Sequence, residues 1–276
     1  MSFILTAEDV CFTYPGTSQE ALRKLKLRIP AGKKTALCGH NGSGKSTFFL
    51  QAVGLHRPSA GRMLRNHSPY DYSAAGRKAL RQQIGIVFQD PEHQLILNTP
   101  LEDISYGLRN AGFSEREIAL RSREILSAMG LEALADTPIH HLSMGQKKRV
   151  ALAGVLVLEP KLLLLDEPTA YLDRASERML LGELNRAHEK GITVVMATHD
   201  MDLAYEWADW VIVMDRGRFV TEGIPQDVFQ DREALLALGL EQPLLMDLWK
   251  SLPACISNDA SPPRTRDQFK RFLKNL

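Results

Sequence analysis

Gly39, His40, Asn41, Gly42, Ser43, Gly44, Lys45, Ser46 and Thr47 follow one another in a spacing suited to anion chemistry. The glycines at 39, 42 and 44 let the backbone wrap so that successive N–H groups point inward at phosphate oxygens. Thr35, Ala36, Leu37 and Cys38 read as a short buried strand before the run, and residues 47–53 as the start of a helix after it. A helix beginning there adds unpaired N–H groups and the positive end of its dipole. In that setting the spacing G-x-x-x-x-G-K-[ST] predicts a nucleoside triphosphate site. Lys45 is placed to reach the β- and γ-phosphates, and the Ser46 hydroxyl to ligate Mg²⁺. A glycine turn followed by a surface lysine is the plainer alternative, and the strand–loop–helix order argues against it.

A second group of chemically capable residues lies far downstream. Leu162, Leu163, Leu164 and Leu165 show no alternation, as expected of a central parallel strand covered on both faces, and they run into Asp166 and Glu167. At a strand tip Asp166 can hold Mg²⁺ through water, and Glu167 can accept a proton from an attacking water. Read alone, the pair could equally be an acidic loop after a core strand; the phosphate loop upstream favours chemistry. Between these two groups, Ser143 can cap a helix whose apolar face runs Val150, Ala153, Gly154, Val157. That helix end presents a hydroxyl and free N–H groups, a further anion-facing surface.

The elements that must position these groups alternate along the chain. Loose alternation over residues 3–14 and clean alternation over 25–29 suggest two strands, each with one covered face, joined at Pro15 and Gly16. Further strands are expected at 84–88, 162–165, 193–197 and 211–214. Between about 90 and 159 the strand signal vanishes; there Ser114 with Glu117 forms a capping box, Phe113 can staple it, and Gly130 closes the helix. From about Glu222 a tail of helices is expected, with a loose linker over 257–266 around Pro262 and Pro263. Phe269, Phe272, Leu273 and Leu276 share one helical face, which can dock on the body of the protein or on a partner or membrane surface.

Composition excludes several classes. Lys and Arg number 34 against 33 Asp and Glu, a net charge of +1, so there is no basic excess of the size nucleic acid demands. Cys11, Cys38 and Cys255 are scattered, without the paired spacing of a zinc site or disulfide frame. Glu8 and Asp9 fall where a secretory signal needs apolar residues, and the longest apolar stretch, 150–158, is about half a membrane span.

Leu142, Ser143, Met144, Gly145, Gln146 and Lys147, placed between the phosphate loop and the acidic strand, resemble the L-S-G-G-Q signature of ATP-binding cassette (ABC) ATPases. Other marks of that family follow in order. Gln89 matches the glutamine that reaches Mg²⁺ and the attacking water, residues 169–173 with Asp173 match the D-loop, and His199 matches the histidine that contacts the γ-phosphate. Tyr14 stands where these ATPases keep an aromatic ring against adenine. The resemblance covers residues 3–225 and has two departures: Met144 at the first glycine of the signature pair, and Tyr171 at a usually small D-loop position. It implies an α/β phosphate-loop NTPase fold, with a RecA-like core, an N-terminal antiparallel β subdomain and a helical subdomain at about 90–159. These make one ATPase domain over 1–225, followed by a helical extension over 226–276.

Phe88, Gln89, Asp90, Pro91, Glu92, His93 and Gln94, with Thr99, Asp103, Ile104, Tyr106 and Gly107, resemble the ATPases of energy-coupling-factor (ECF) importers. Asp71, Tyr72 and Ser73, residues 79–83 and residues 143–154 resemble the cobalt/nickel branch, the CbiO/NikO type. Such a chain is implied to bind ATP and Mg²⁺ and to form a homodimer in which Ser143, Met144, Gly145 and Gln146 meet the partner's ATP. It is implied to dock on a transmembrane coupling subunit at the cytoplasmic face of the membrane, while a separate membrane subunit selects the substrate. Cassettes that act on nucleic acid or ribosomes carry long coiled-coil interruptions or a second cassette. This chain has one uninterrupted cassette and no basic stripe.

Overall fold

The computed structural model describes residues 2–253 and 261–275. The chain opens with β1 (Phe3–Thr13) and β2 (Glu20–Pro30), paired antiparallel with Val10 opposite Leu25 and Phe12 opposite Leu22. Next come β3 (Lys34–Cys38), α1 (Lys45–Ala52), β4 (Ala60–Arg65), β5 (Ser68–Pro69), α2 (Ala74–Gln83) and β6 (Ile84–Val87). Three helices without strands follow: α3 (Pro100–Ala111), α4 (Glu115–Ala128) and α5 (Met144–Leu156). The chain then alternates through β7 (Leu162–Asp166), α6 (Arg174–Glu189), β8 (Thr193–Thr198), α7 (Met201–Trp207), β9 (Trp210–Asp215) and β10 (Arg218–Gly223). It ends in α8 (Pro225–Val228), α9 (Arg232–Ala237), α10 (Leu244–Lys250) and α11 (Arg266–Lys274).

The strands form two sheets. One has the order β2-β1-β4-β5 and is antiparallel; the other has the order β10-β9-β3-β8-β7-β6 and is parallel except for the β10–β9 hairpin. The unbroken leucines of β7 divide by parity. Leu162 and Leu164 join the apolar cluster that includes Phe48 and Phe49 of α1 and the inner face of the antiparallel sheet. Leu163 and Leu165 join the cluster built from the helices on the other side. A strand with core on both faces has no polar side to alternate with, and all five residues of β7 are buried.

The helical stretch is delimited by its caps. Thr99 caps α3, which ends at Gly112 in the left-handed region, and Ser114 and Glu117 form the expected reciprocal box at the start of α4. Phe113 is partly buried, with the Arg121 guanidinium 4.6 Å from its ring centroid.

Three elements were not legible beforehand. Only Met63 and Leu64 of β4 are buried, β5 is two residues long, and β10 is an edge strand without a buried residue, so none carries an alternating apolar pattern. The helical tail therefore begins after β10, not at Glu222. That tail clasps α7. Leu244 N–H donates to Asp202 Oδ1 at 2.7 Å near one end, and Arg264 donates to the carbonyls of Tyr205, Glu206 and Ala208 at the other. Phe272 packs edge-on against Trp249, yet Leu273 remains 44% exposed, so the chain covers only part of that apolar face. Cys38 is buried and Cys11 half-buried. Cys255, Leu276 and residues 257–260 of the expected linker lie outside the described residues.

Candidate functional site

The carboxyl ends of β3, β7 and β8 lie side by side in the parallel sheet, the usual location for ligands in such sheets. From β3 the chain wraps through residues 39–44 into α1. Gly44 caps that helix with φ 102°, and a Cβ there would meet the Ala21 carbonyl at 2.9 Å, so the loop closes only around glycine. Lys45 is buried at the foot of the loop. Its ammonium donates to the carbonyls of Gly39 at 2.6 Å and His40 at 3.1 Å and lies 4.0 Å from Glu167 Oε1. The His40 ring reaches Asp215 at the end of β9 through Nε2 at 2.8 Å, which anchors the near side of the loop.

At the end of β7, Asp166 and Glu167 are both buried. Glu167 has φ 46°, an uncommon conformation for a non-glycine residue, and its N–H donates to Ala197 of β8 at 3.0 Å. The Glu167 carboxylate is also hydrogen-bonded to His199 Nδ1 at 2.9 Å. Burial lowers the Lys45 pKa, while Glu167 and Asp166 hold it up. Burial raises the Asp166 pKa, opposed by the Ser46 hydroxyl's hydrogen bond and by Lys45. Proton-accepting and cationic groups thus sit together under weak solvent screening.

Tyr14, Gln89, Asp166, Glu167 and the whole run 40–47 line one cavity of about 700 Å³. Tyr14 donates or accepts a hydrogen bond with Thr47 Oγ1 at 3.1 Å and meets Phe12 and His56 edge-on. The Ser46 hydroxyl, the Asp166 carboxylate and the Gln89 amide oxygen are hard oxygen donors, the set Mg²⁺ takes, so the residues present fit that ion. His199 joins this group through Glu167 and lines a neighbouring cavity with His40 and Asn41, walled by residues 239–243 of the tail.

None of Ser143, Met144, Gly145 and Gln146 lines the cavity that holds the phosphate loop. Ser143 is exposed and caps α5 in a reciprocal box: its hydroxyl accepts the Gln146 N–H at 3.3 Å, and the Gln146 side chain accepts the Ser143 N–H at 2.8 Å. A Cβ on Gly145 would strike Ser176 Oγ at 2.7 Å, so this glycine lets the start of α5 abut the start of α6. Met144, the departure from the signature pattern, is half-buried beside it. Asp173 caps α6 by accepting the N–H groups of Ala175 and Ser176, and those bonds hold its pKa down.

Residues 22–170 match the family model described as ABC transporter. The chain belongs to the ABC transporter family. Cassettes of this family are ATPases that power transport, and they bind ATP, generally with Mg²⁺. A relative from Clostridium perfringens, energy-coupling factor transporter ATP-binding protein EcfA3, is 44% identical over 91% of this chain and 88% of its own length. The chain is accordingly the ATP-binding subunit of an ECF-type ABC transporter. Among solved structures, CbiO1 from Clostridium perfringens, part of the ABC transporter complex CbiONQ, superposes with a TM-score of 0.76 at 42% identity, covering 91% of this chain and all of that one. A dimeric post-hydrolysis state of the ATP-binding cassette MJ0796 bound to ADP and phosphate superposes with a TM-score of 0.73 at 30% identity, over 80% of this chain and 98% of that one.

Sequence reasoning on this ABC cassette left two supporting residues without a role. Gln94 accepts the Phe88 N–H at 3.0 Å and donates to Ile86 and Ala151, which fastens the segment carrying Gln89 to β6 and α5. Lys148 reaches the loop after β7 from α5. Neither announces itself by type, because glutamine and lysine on a helix or turn ordinarily face solvent. Among the described residues, no helix is long and apolar enough to cross a membrane.

Proposed function

We propose that two copies of this chain close head to tail around two ATP molecules and drive an importer for cobalt or nickel ions. The observation that carries the dimer is the separation just described: the cavity with Lys45, Asp166 and Glu167 is lined without Ser143, while the Ser143 end of α5 faces outward. A partner in two-fold symmetry can supply the missing wall. The dimeric cassette to which the chain is similar supports this reading.

In the proposed cycle the phosphate-loop N–H groups and Lys45 bind the β- and γ-phosphates, and Tyr14 packs beside the base. Ser46, Asp166 and Gln89 would hold Mg²⁺, which supplies charge neutralisation along the phosphates when bound. Glu167 takes the proton of the attacking water, with its carboxylate aimed by His199. Lys45 and His199 stabilise charge on the transferring phosphoryl group. Ser143, Gly145 and Gln146 of the partner subunit close the site, and Asp173 orders the D-loop at their side. Residues 1–225 act as the cassette with the helical part at 90–159, residues around Gln89 to Gly107 pass its motion to a transmembrane coupling subunit, and 226–276 form an extension on α7. A separate membrane subunit selects the cargo, and the cassette stays peripheral on the cytoplasmic face of the membrane.

The likeness to CbiO1, with the resemblance at 71–73, 79–83 and 143–154, supports a cobalt or nickel cargo over the alternative of a vitamin or other small solute. The test is uptake of labelled Co²⁺ and Ni²⁺ by cells carrying the whole complex. Uptake of one or both should vanish with Lys45→Ala; unchanged uptake removes the cargo from this motor.

A further inference from the structure

Lys148 is 1% exposed, and every donor of its ammonium is used. They point at the carbonyls of Glu167 at 3.3 Å, Pro168 at 2.9 Å and Ala170 at 2.8 Å, all in the loop between β7 and α6. That loop holds two non-glycine residues in the left-handed region, Glu167 at φ 46° and Tyr171 at φ 63°. A backbone so disposed persists only where its surroundings over-determine it. The lysine supplies that constraint from α5, two residues beyond the Ser143–Gln146 box. On the same helix, Gly145 leaves no room for a Cβ beside Ser176 of α6, and Lys147 pairs with Glu92. The helix end that presents the signature is thus bonded directly to the peptide that carries the buried carboxylate.

We propose that Lys148 is a positioning residue linking the signature helix to the Glu167 loop. Engagement of one ATP by α5 of a protomer then sets the carboxylate of that same protomer on the other ATP. The inference rests on the two-chain arrangement proposed above and deepens it, because in that arrangement a protomer's signature and its Glu167 serve different nucleotides. Lys148 itself touches neither nucleotide. A link of this kind makes the two sites cooperative without a contact between them.

The experiment uses the full chain and MgATP. Lys148→Met keeps the stem and removes all three donors, whereas Lys148→Gln returns two. Phosphate release is followed against ATP concentration, folding by circular dichroism, and ATP-driven dimerisation in a Glu167→Gln background by sedimentation. Lys148→Met should lower kcat by ~10–10²-fold, as expected when a reacting group is misplaced by about an ångström, with KM for ATP within about two-fold. The Hill coefficient should fall to one, the ATP-locked dimer should still form, and Lys148→Gln should recover part of kcat. Wild-type kcat and cooperativity in Lys148→Met overturn the proposal. So does a kcat loss matched by unfolding and not relieved in Lys148→Gln, which makes the lysine a structural brace only. Should the Glu167→Gln chain with native Lys148 stay monomeric at saturating ATP, the two-chain reading fails first, a result distinct from failure of the link.

Discussion

The phosphate-loop region and the signature region are both helix N-termini built for anions, yet they are opposites in finish. At the first, Lys45, Asp166 and Glu167 are buried together, and the loop is locked by Gly44 against Ala21 and by His40 against Asp215. At the second, Ser143 is exposed and its polar atoms are closed on Gln146. One region is a buried-charge pocket lined without the residues of the signature; the other is an exposed helix end, capped but open. In the two-chain arrangement proposed above, bringing these two surfaces together is the step that completes each site.

The largest effect is expected at the phosphate-loop half. Glu167→Gln should cut turnover by ~10²–10⁴-fold while ATP binding survives, measured by phosphate release and by equilibrium binding. Unchanged turnover would move the proton-accepting role elsewhere. The open half is probed by Gly145→Val, whose side chain has no room beside Ser176 Oγ. Turnover should drop by ~10–10²-fold with ATP binding to the monomer intact; weakened binding to the monomer would show that the halves are not separate. Tyr14→Ala should weaken nucleotide binding by ~1–3 kcal/mol if the ring lies on the base, read by calorimetry, and an unaltered Kd would assign Tyr14 to packing with Phe12 and His56.

A smaller effect concerns the link between the halves. Burial lowers the Lys148 pKa to about 8, with the facing carboxylates Glu167 and Asp90 opposing the drop. Between about 8 and the ordinary value of 10.5 the unfolded chain holds the extra proton, so this lysine makes stability rise with pH across that window. Relative to Lys148→Met, the wild-type chain should therefore gain unfolding free energy between pH 7.5 and about 9.5 in denaturant titrations. A flat or falling difference would contradict the desolvation of the buried ammonium. The smallest effect is at Tyr171, which is 81% exposed with φ 63°. Tyr171→Gly should raise Tm by ~1–2 °C through relief of that conformation.

The phosphate-loop half was the more legible one. Its chemistry sits in a contiguous run and at the tip of a strand whose leucines have no alternation, and both signals are local. The helix capped by Ser143 was equally visible, from the cap itself and from the apolar face at Val150, Ala153, Gly154 and Val157; the reciprocal bond from Gln146 was not. Strands β4, β5 and β10 were lost because a strand with few or no buried residues has almost no periodicity to read. Gln94 and Lys148 escaped for another reason: their partners are main-chain carbonyls and N–H groups, which no residue type announces. The clasp of Arg264 on the end of α7 is of the same kind.

Sedimentation of the Glu167→Gln chain with saturating ATP and Mg²⁺ tests the central claim most directly, since each chain is 30.9 kDa. The account predicts a species of twice that mass that collapses to single chains when Ser143→Glu is added, with ATP still bound. A single chain carrying ATP at every concentration, or a dimer indifferent to Ser143→Glu, would contradict it.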